Sequence, residues 1–287
     1  MLQPANNFTT GVLHKFDPPP GTHQGDTFRL PRLKPILFGL SEVSIWTGLN
    51  GHGKSLLLNQ LALDLCMAGV KVAIVSMEMT PIRTLHRMTR QATGAFHPED
   101  WLIIQALEWI GCNVWVNTAT GTMKPEAILK EFHRLATEQG FQHFMIDSLM
   151  KCGLAEDDYN GQKALVDRLQ NFAHHDKAHV HLVAHARKAQ DEYGTPGKMD
   201  VKGSGSVTDL ADNVLAVWRN KRKEQKAQEN SGTVPDDFIN KPDALLDVVK
   251  HRELGGDAEG RYGLFFHRES MQFIERPGGK PHYYVEG

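Results

Sequence analysis

The chain has 287 residues, 40% of them hydrophobic and 23% charged, with a net charge of −2 at pH 7. A chain of that length buries a full core without staples. Its three scattered cysteines, Cys66, Cys112 and Cys152, form no C-x-x-C pair that would suggest a disulfide frame or a zinc site. No apolar run approaches the roughly 18 residues of a membrane span, and the N-terminus lacks a basic start and apolar core. The expectation is a cytoplasmic chain with no membrane partner. The near-neutral charge excludes a broadly basic coat, but not a few basic loops at a pore.

In chain order, the first 35 residues, which contain Pro18-Pro19-Pro20-Gly21, read as an N-terminal arm or linker. It is open to packing on a neighbouring subunit, lying on the surface, or joining an upstream domain. Residues 36–287 are expected to form one domain. VSIWTG from residue 43 reads as a strand, followed by a glycine-rich turn. The helix after it carries Leu57, Leu61 and Leu65 at helical spacing and is ended by Gly69. VKVAIVSME is a buried strand by its continuous Val/Ile content, and a helix is expected from Pro81 to Gly94. NVWVN is a strand, KPEAILKEFHRLATEQG a helix with a proline start and a glycine stop, and FQHFMIDS a strand. GQKALVDRLQNFAHHD is a helix and VHLVAHA a strand. The alternation predicts an α/β fold with a largely parallel, helix-flanked central sheet. After Ala186 comes a long polar, glycine-rich loop, and residues 221–242 read as a mobile charged insert. ALLDVVKHRE and GLFFHRESMQFIE read as closing strands.

The strongest chemical signal is GLNGHGKS at residues 48–55, which fits G-x-x-x-x-G-K-[ST] between a strand and a helix. Gly48, Asn50, Gly51, His52 and Gly53 turn backbone N–H groups toward phosphates, and Leu56 continues the helix whose N-terminus adds positive potential. Lys54 reaches the β and γ phosphates of ATP, and Ser55 ligates Mg²⁺. This pattern is that of a P-loop NTPase with a RecA-like fold. Asp147, ending the apolar run FMID, has the place of a second metal-holding acid; the alternative is a turn cap. Glu78 closes its strand at the edge where ligands bind, either as the general base that polarises water or as a solvated carboxylate. His185, also at a strand end, either senses the γ phosphate or is structural.

Taken together, SMEM, IDS, AHARK, VKGSGSVTDLADNVLAVWRNK and VVKHRELGG occur in an order that resembles the DnaB-like superfamily 4 of hexameric replicative helicases, most closely its phage primase-helicase and Twinkle-like branch. The resemblance spans roughly residues 36–270. It implies an ATP-driven homo-hexamer that translocates on single-stranded DNA and separates duplex during replication, with a primase or a polymerase as further partner. By this resemblance Glu78 is the catalytic glutamate and His185 the γ-phosphate sensor. Lys202, Gly203, Ser204 and Gly205 form the loop that touches the DNA backbone. Arg219 lies near the nucleotide, and Lys250 with Arg252 reaches the neighbouring subunit's γ phosphate. Two departures stand out, AHARK in place of the SQ-type motif of bacterial members and a long insert at 221–242. The competing readings are a RecA- or KaiC-like ATPase that does not unwind, and a nucleotide-gated loader.

Overall fold

The computed structural model describes residues 2–17, 19, 25–118, 120–155, 157–185 and 205–285. Nine strands form a sheet in the order β3-β2-β4-β5-β1-β6-β7-β8-β9. They are β1 Glu42–Thr47, β2 Val72–Ser76, β3 Val114–Val116, β4 His143–Asp147, β5 His179–Val183, β6 Asn213–Arg219, β7 Ala244–His251, β8 Gly260–His267 and β9 Gln272–Ile274. The first six run parallel and the last three are added antiparallel. The parallel strands are buried almost throughout, as expected for strands covered on both faces.

The helices are α1 Thr9–Phe16, α2 Lys54–Met67, α3 Pro81–Thr93, α4 Asp100–Asn113, α5 Pro125–Gln139, α6 Tyr159–Asp176, α7 Gly205–Leu210, α8 Lys221–Glu229 and α9 Asp236–Ile239. One face of the sheet packs on α5 and α6 through Phe132, Leu165, Leu169 and Phe172. The other packs on α2 and α4 through Leu57, Leu61, Leu65 and Ile110. The start and stop residues act as their chemistry predicts. Pro81 and Pro125 open α3 and α5, and Gly94 and Gly140 close them in the left-handed conformation.

Helix α2 is buried nearly all round, including Gln60 and Asp64. Both polar groups are satisfied by distant backbone and side chains. Gln60 exchanges two hydrogen bonds with the Phe273 backbone at 3.0 and 2.8 Å, and Asp64 accepts from the Tyr284 hydroxyl and from Arg29 N–H. These contacts tie β9 and the C-terminal residues to the helix that follows the glycine loop.

Three parts differ from the sequence expectation. Phe28, Leu30 and Leu33 are fully buried, as are Ile36 and Phe38 after them, so the core takes in part of the segment up to residue 35 expected as an arm, and α1 is the part left outside it. A polar stripe on the sheet explains why this segment docks. His143, His179 and His181 point to the same face, where Phe38 packs edge-on to His179 and His181. Trp46 Nε1 donates to His181 at 3.2 Å, His181 lies 3.0 Å from His143, and His143 donates to Asp26 at 2.8 Å. His179 donates to Gly39 O at 2.7 Å and faces the Ser44 hydroxyl at 2.8 Å. Read in one direction, the chain of donors and acceptors closes without a charged imidazole. Second, the insert at 221–242 is structured rather than mobile. Lys223 is buried between α8 and α9, bonding Lys241 O and the Asp243 carboxylate and lying over the Phe265 ring. Third, α4 and β6 are further elements of the fold.

Candidate functional site

The sheet's topology decides which residues can meet. β1 ends at Thr47 and turns at once into residues 48–53, which lead into α2. Gly48 has φ +135, and a Cβ there would stand 2.3 Å from Val217 O of β6, so a side chain is excluded where the loop leaves the sheet. Gly53, at φ +96, is the N-cap of α2. Lys54 folds back over the loop and donates to Gly48 O at 2.7 Å and Leu49 O at 3.0 Å. Burial pulls its pKa down to about 8, with the Asp147 and Glu78 charges opposing.

Opposite the loop stand the ends of β2, β4 and β5. The Ser55 hydroxyl donates to Asp147 Oδ2 at 2.5 Å. Burial raises the Asp147 pKa; the Ser55 hydrogen bond opposes this. Glu78 follows β2 and His185 follows β5, and they meet: His185 Nε2 donates to Glu78 Oε1 at 2.9 Å. The Ser148 hydroxyl donates to the same oxygen at 2.6 Å and lies 3.1 Å from His185 Nε2. The His185 hydrogen bond is the main reason the Glu78 carboxyl is held down at about 2; burial opposes it, and Ser148 and Lys54 add to it. His185 Nδ1 is buried and has no hydrogen-bond partner among the described residues.

Gly53, Lys54, Ser55, Glu78, Asp147 and His185 line one cleft of about 400 Å³, together with Asn50, Gly51, Leu56, Arg87 and Arg219. Arg219 ends β6, donates to Gly51 O at 3.2 Å and is held by a two-point contact with Glu224 of α8. His52 is buried below it and accepts from Arg219 N–H at 3.3 Å. Ser148 and Arg87 were missed at the sequence level. Ser148 directly follows Asp147, which is a signal that could have been used. Arg87 lies inside α3 with no motif around it.

The cleft fits a magnesium nucleotide on its own chemistry. A loop of turned backbone N–H groups, a lysine resting on loop carbonyls, and a hydroxyl–carboxylate pair are the donors and acceptors that phosphates and a hard cation require.

Lys250 and Arg252 are not in this cleft. β7 runs antiparallel to β6, so that His251 stands opposite Asn213, while Ala244 stands opposite Arg219. Counted along β6 from Val217, where the phosphate loop leaves the sheet, Lys250 lies three residues and Arg252 five residues away, roughly 10 and 17 Å at about 3.3 Å per residue. There Lys250 donates to Asp209 O and Ala211 O at 3.0 and 2.6 Å, and Arg252 pairs with Asp212 at 2.6 Å. Burial lowers the Lys250 pKa, with the Arg252 charge adding to the effect. Of the expected DNA-contacting loop, Gly205 opens α7, and Lys202, Gly203 and Ser204 lie outside the described residues. Among the described residues no helix is long and apolar enough to cross a membrane.

Comparison with known proteins agrees with this architecture. A solved structure described as an ATPase domain superposes with a TM-score of 0.73 at 17% identity, covering 96% of this chain and 99% of that one. A structure described as a DnaB-like replicative helicase and its interactions with primase gives 0.74 at 16% identity, covering 96% of this chain and 67% of that one. At such identities the likeness is one of fold, and the fold is the RecA-like P-loop NTPase fold. A family model described as an AAA domain matches residues 17–191. That match takes in the phosphate loop, Glu78, Asp147 and His185 and runs over more than half of the sequence, and this chain therefore belongs to the AAA domain family.

Proposed function

We propose that this chain is an ATP-hydrolysing motor of a ring-shaped replicative DNA helicase, a homo-hexamer that moves on single-stranded DNA and couples hydrolysis between subunits to duplex separation. Three observations support hydrolysis. Lys54 rests on carbonyls of the loop that would hold phosphates, Ser55 and Asp147 form a hydroxyl–carboxylate pair beside it, and Glu78 stands across the cleft. Ser55 and Asp147 would hold Mg²⁺, which supplies charge neutralisation at the β and γ phosphates when bound. Glu78 orients the attacking water and accepts its proton. Held down near 2 it is a weak base, and it strengthens when His185 turns away from its carboxylate toward the γ phosphate. That exchange makes His185 the sensor and Ser148 the group that keeps Glu78 aimed.

The observation that carries the ring reading is the separation of Lys250 and Arg252 from the chain's own phosphate loop. Two cations at the far end of the sheet reach a nucleotide only when it belongs to another subunit, a head-to-tail contact that closes into a ring. A cation given in trans is worth roughly 10³–10⁵ in rate in such enzymes. The same two side chains grip the C-terminal end of α7, the helix that Gly205 opens. A pull on them by the neighbour's nucleotide is thus felt at the loop assigned to the DNA backbone, residues 202–205. Helix α1 supports the same assembly. Its apolar residues Val12, Leu13 and Phe16 are exposed, and the cleft between α3 and α4, lined by Ile82, Leu85, Phe96 and Leu107, is apolar enough to receive such a helix from the next subunit. A primase or a polymerase is the expected further partner.

The test is ATP hydrolysis with and without a single-stranded oligonucleotide. Wild type is expected to be stimulated. Lys202→Ala is expected to keep basal turnover and lose the stimulation. Arg252→Lys, which keeps a cation opposite Asp212, is expected to bind nucleotide normally but turn over slowly with DNA. Wild-type stimulation in both variants would refute the motor and leave a DNA-stimulated ATPase that does not unwind.

A further inference from the structure

The outer face of the α5–α6 layer carries a second cluster of chemistry that the nucleotide site does not use. His133 lies on α5, and His175 and Asp176 end α6. Asp176 is nearly buried, with 4% of its side chain exposed, although the histidines beside it are 54% and 75% exposed. Both imidazoles turn the same nitrogen inward. His133 Nδ1 lies 2.9 Å and His175 Nδ1 3.2 Å from the one oxygen, Asp176 Oδ1. The three ligating atoms all fall within 4.8 Å of one another.

Three physical points favour a cation there. A carboxylate at the C-terminal end of a helix sits in the negative end of the helix dipole, which disfavours an anion and favours a positive charge beside it. The neighbouring Arg168 is already paired with Glu126, and among the described residues the ion-pair partners recorded for Asp176 are the two histidines. The geometry is also close to that of a site. Tetrahedral zinc needs ligands at about 2.0–2.2 Å, hence about 3.3–3.5 Å apart. The two histidine–carboxylate distances need to open by only a few tenths of an ångström, and the two imidazole nitrogens, within 4.8 Å of each other, belong to histidines that are largely solvent-exposed and free to adjust. Two imidazoles and one carboxylate suit zinc or a similar borderline metal, and do not suit magnesium.

We propose that His133, His175 and Asp176 form a surface site for a divalent transition metal of the zinc class, with solvent completing the shell. A ring that binds the metal through Nδ1 carries its remaining proton on Nε2. The site clamps the middle of α5 to the end of α6, at the edge of the sheet where β5 begins. It is thus separated from the nucleotide cleft by the length of β5, roughly 17 Å.

The test uses the full chain, stripped of metal with a chelator and titrated with zinc against a chromophoric competitor, in the absence of nucleotide. Wild type is expected to bind one zinc per chain at least tenfold more tightly than the His133→Ala/His175→Ala double variant. Its melting temperature should rise with zinc, that of the double variant should not, and excess Mg²⁺ should not compete. Both substituted side chains are exposed, so the double variant is expected to fold; an unchanged melting temperature without metal checks this. Equal binding by the two proteins would place the zinc elsewhere, for instance on exposed Cys112, and overturn the proposal. No binding by wild type within the competitor's range would overturn it as well.

Discussion

The buried histidines make the acid sensitivity of the fold calculable. His179 is fully buried, and burial first, then the neighbouring His143, pushes its pKa down to about 3. The unfolded chain offers it an ordinary value near 6.5. Its Nε2 faces the Ser44 hydroxyl, so protonation would set two donors against each other unless Ser44 turns away. Because the folded value is depressed, the unfolded state binds the proton first as pH falls. The contribution of this group is fully present above pH 6.5 and is lost progressively between pH 6.5 and about 3. At pH 5 the unfolded chain has gained about 2 kcal/mol from this one imidazole relative to pH 8, and any folded value below about 4.5 leads to nearly the same figure. Other groups titrate in the same range. His181 is shifted downward like His179, whereas burial raises Glu42 and holds Asp64 up at about 6, and both act in the opposite sense. Comparing wild type with His179→Gln removes these shared terms. The assay is urea unfolding of both proteins at pH 8 and pH 5. The variant is expected to be the less stable at pH 8, and wild type is expected to lose about 2 kcal/mol more on going to pH 5. Equal losses would mean that His179 takes up its proton in the folded state, and would refute the neutral network that docks residues 26–39.

The remaining predictions concern the cleft. Glu78→Gln should bind ATP and hydrolyse it about 10²–10⁴-fold more slowly, the usual worth of a general base; near-normal single-turnover rates would remove Glu78 from that role. Lys54→Ala should abolish hydrolysis, read by phosphate release, because no other cation stands on the loop carbonyls at Gly48 and Leu49 among the described contacts. Gly48→Ala should cost on the order of 2–4 kcal/mol of stability and disable nucleotide binding, because its Cβ would collide with the backbone oxygen of Val217; a melting temperature within a degree or two of wild type would contradict the close packing of the loop on β6.

Local chemistry was readable wherever it was self-sufficient. The phosphate loop sits between an apolar strand and a helix, and proline and glycine mark α3 and α5, so these elements follow from neighbouring residues alone. Asp147 and Glu78 were legible because each ends an apolar run. Where long-range contacts decide, the sequence was silent. Residues 25–35 read as part of an arm because prolines precede them, yet Asp26 docks on His143, which arrives more than a hundred positions later. The insert looked mobile because it is highly charged, but Lys223 is neutralised by Asp243 and by carbonyls of residues near α9. Helix α4 escaped notice because Trp101, Ile104 and Leu107 leave apolar groups exposed, which blurs the one-sided pattern of an ordinary surface helix. Ser148 is marked in the sequence only by its place after Asp147, and its role rests on the fold, which brings Glu78 and His185 to it.

The central claim is that the nucleotide lies between subunits of a ring. The most direct measurement is particle mass in solution with Mg²⁺ and a non-hydrolysable ATP analogue, with and without a single-stranded oligonucleotide. A ring with nucleotide between its subunits gives a species of six times the 32.1 kDa chain mass, strengthened by both ligands and weakened in Arg252→Lys. A monomer or dimer under every condition would leave Lys250 and Arg252 with no nucleotide to reach, and would contradict the account.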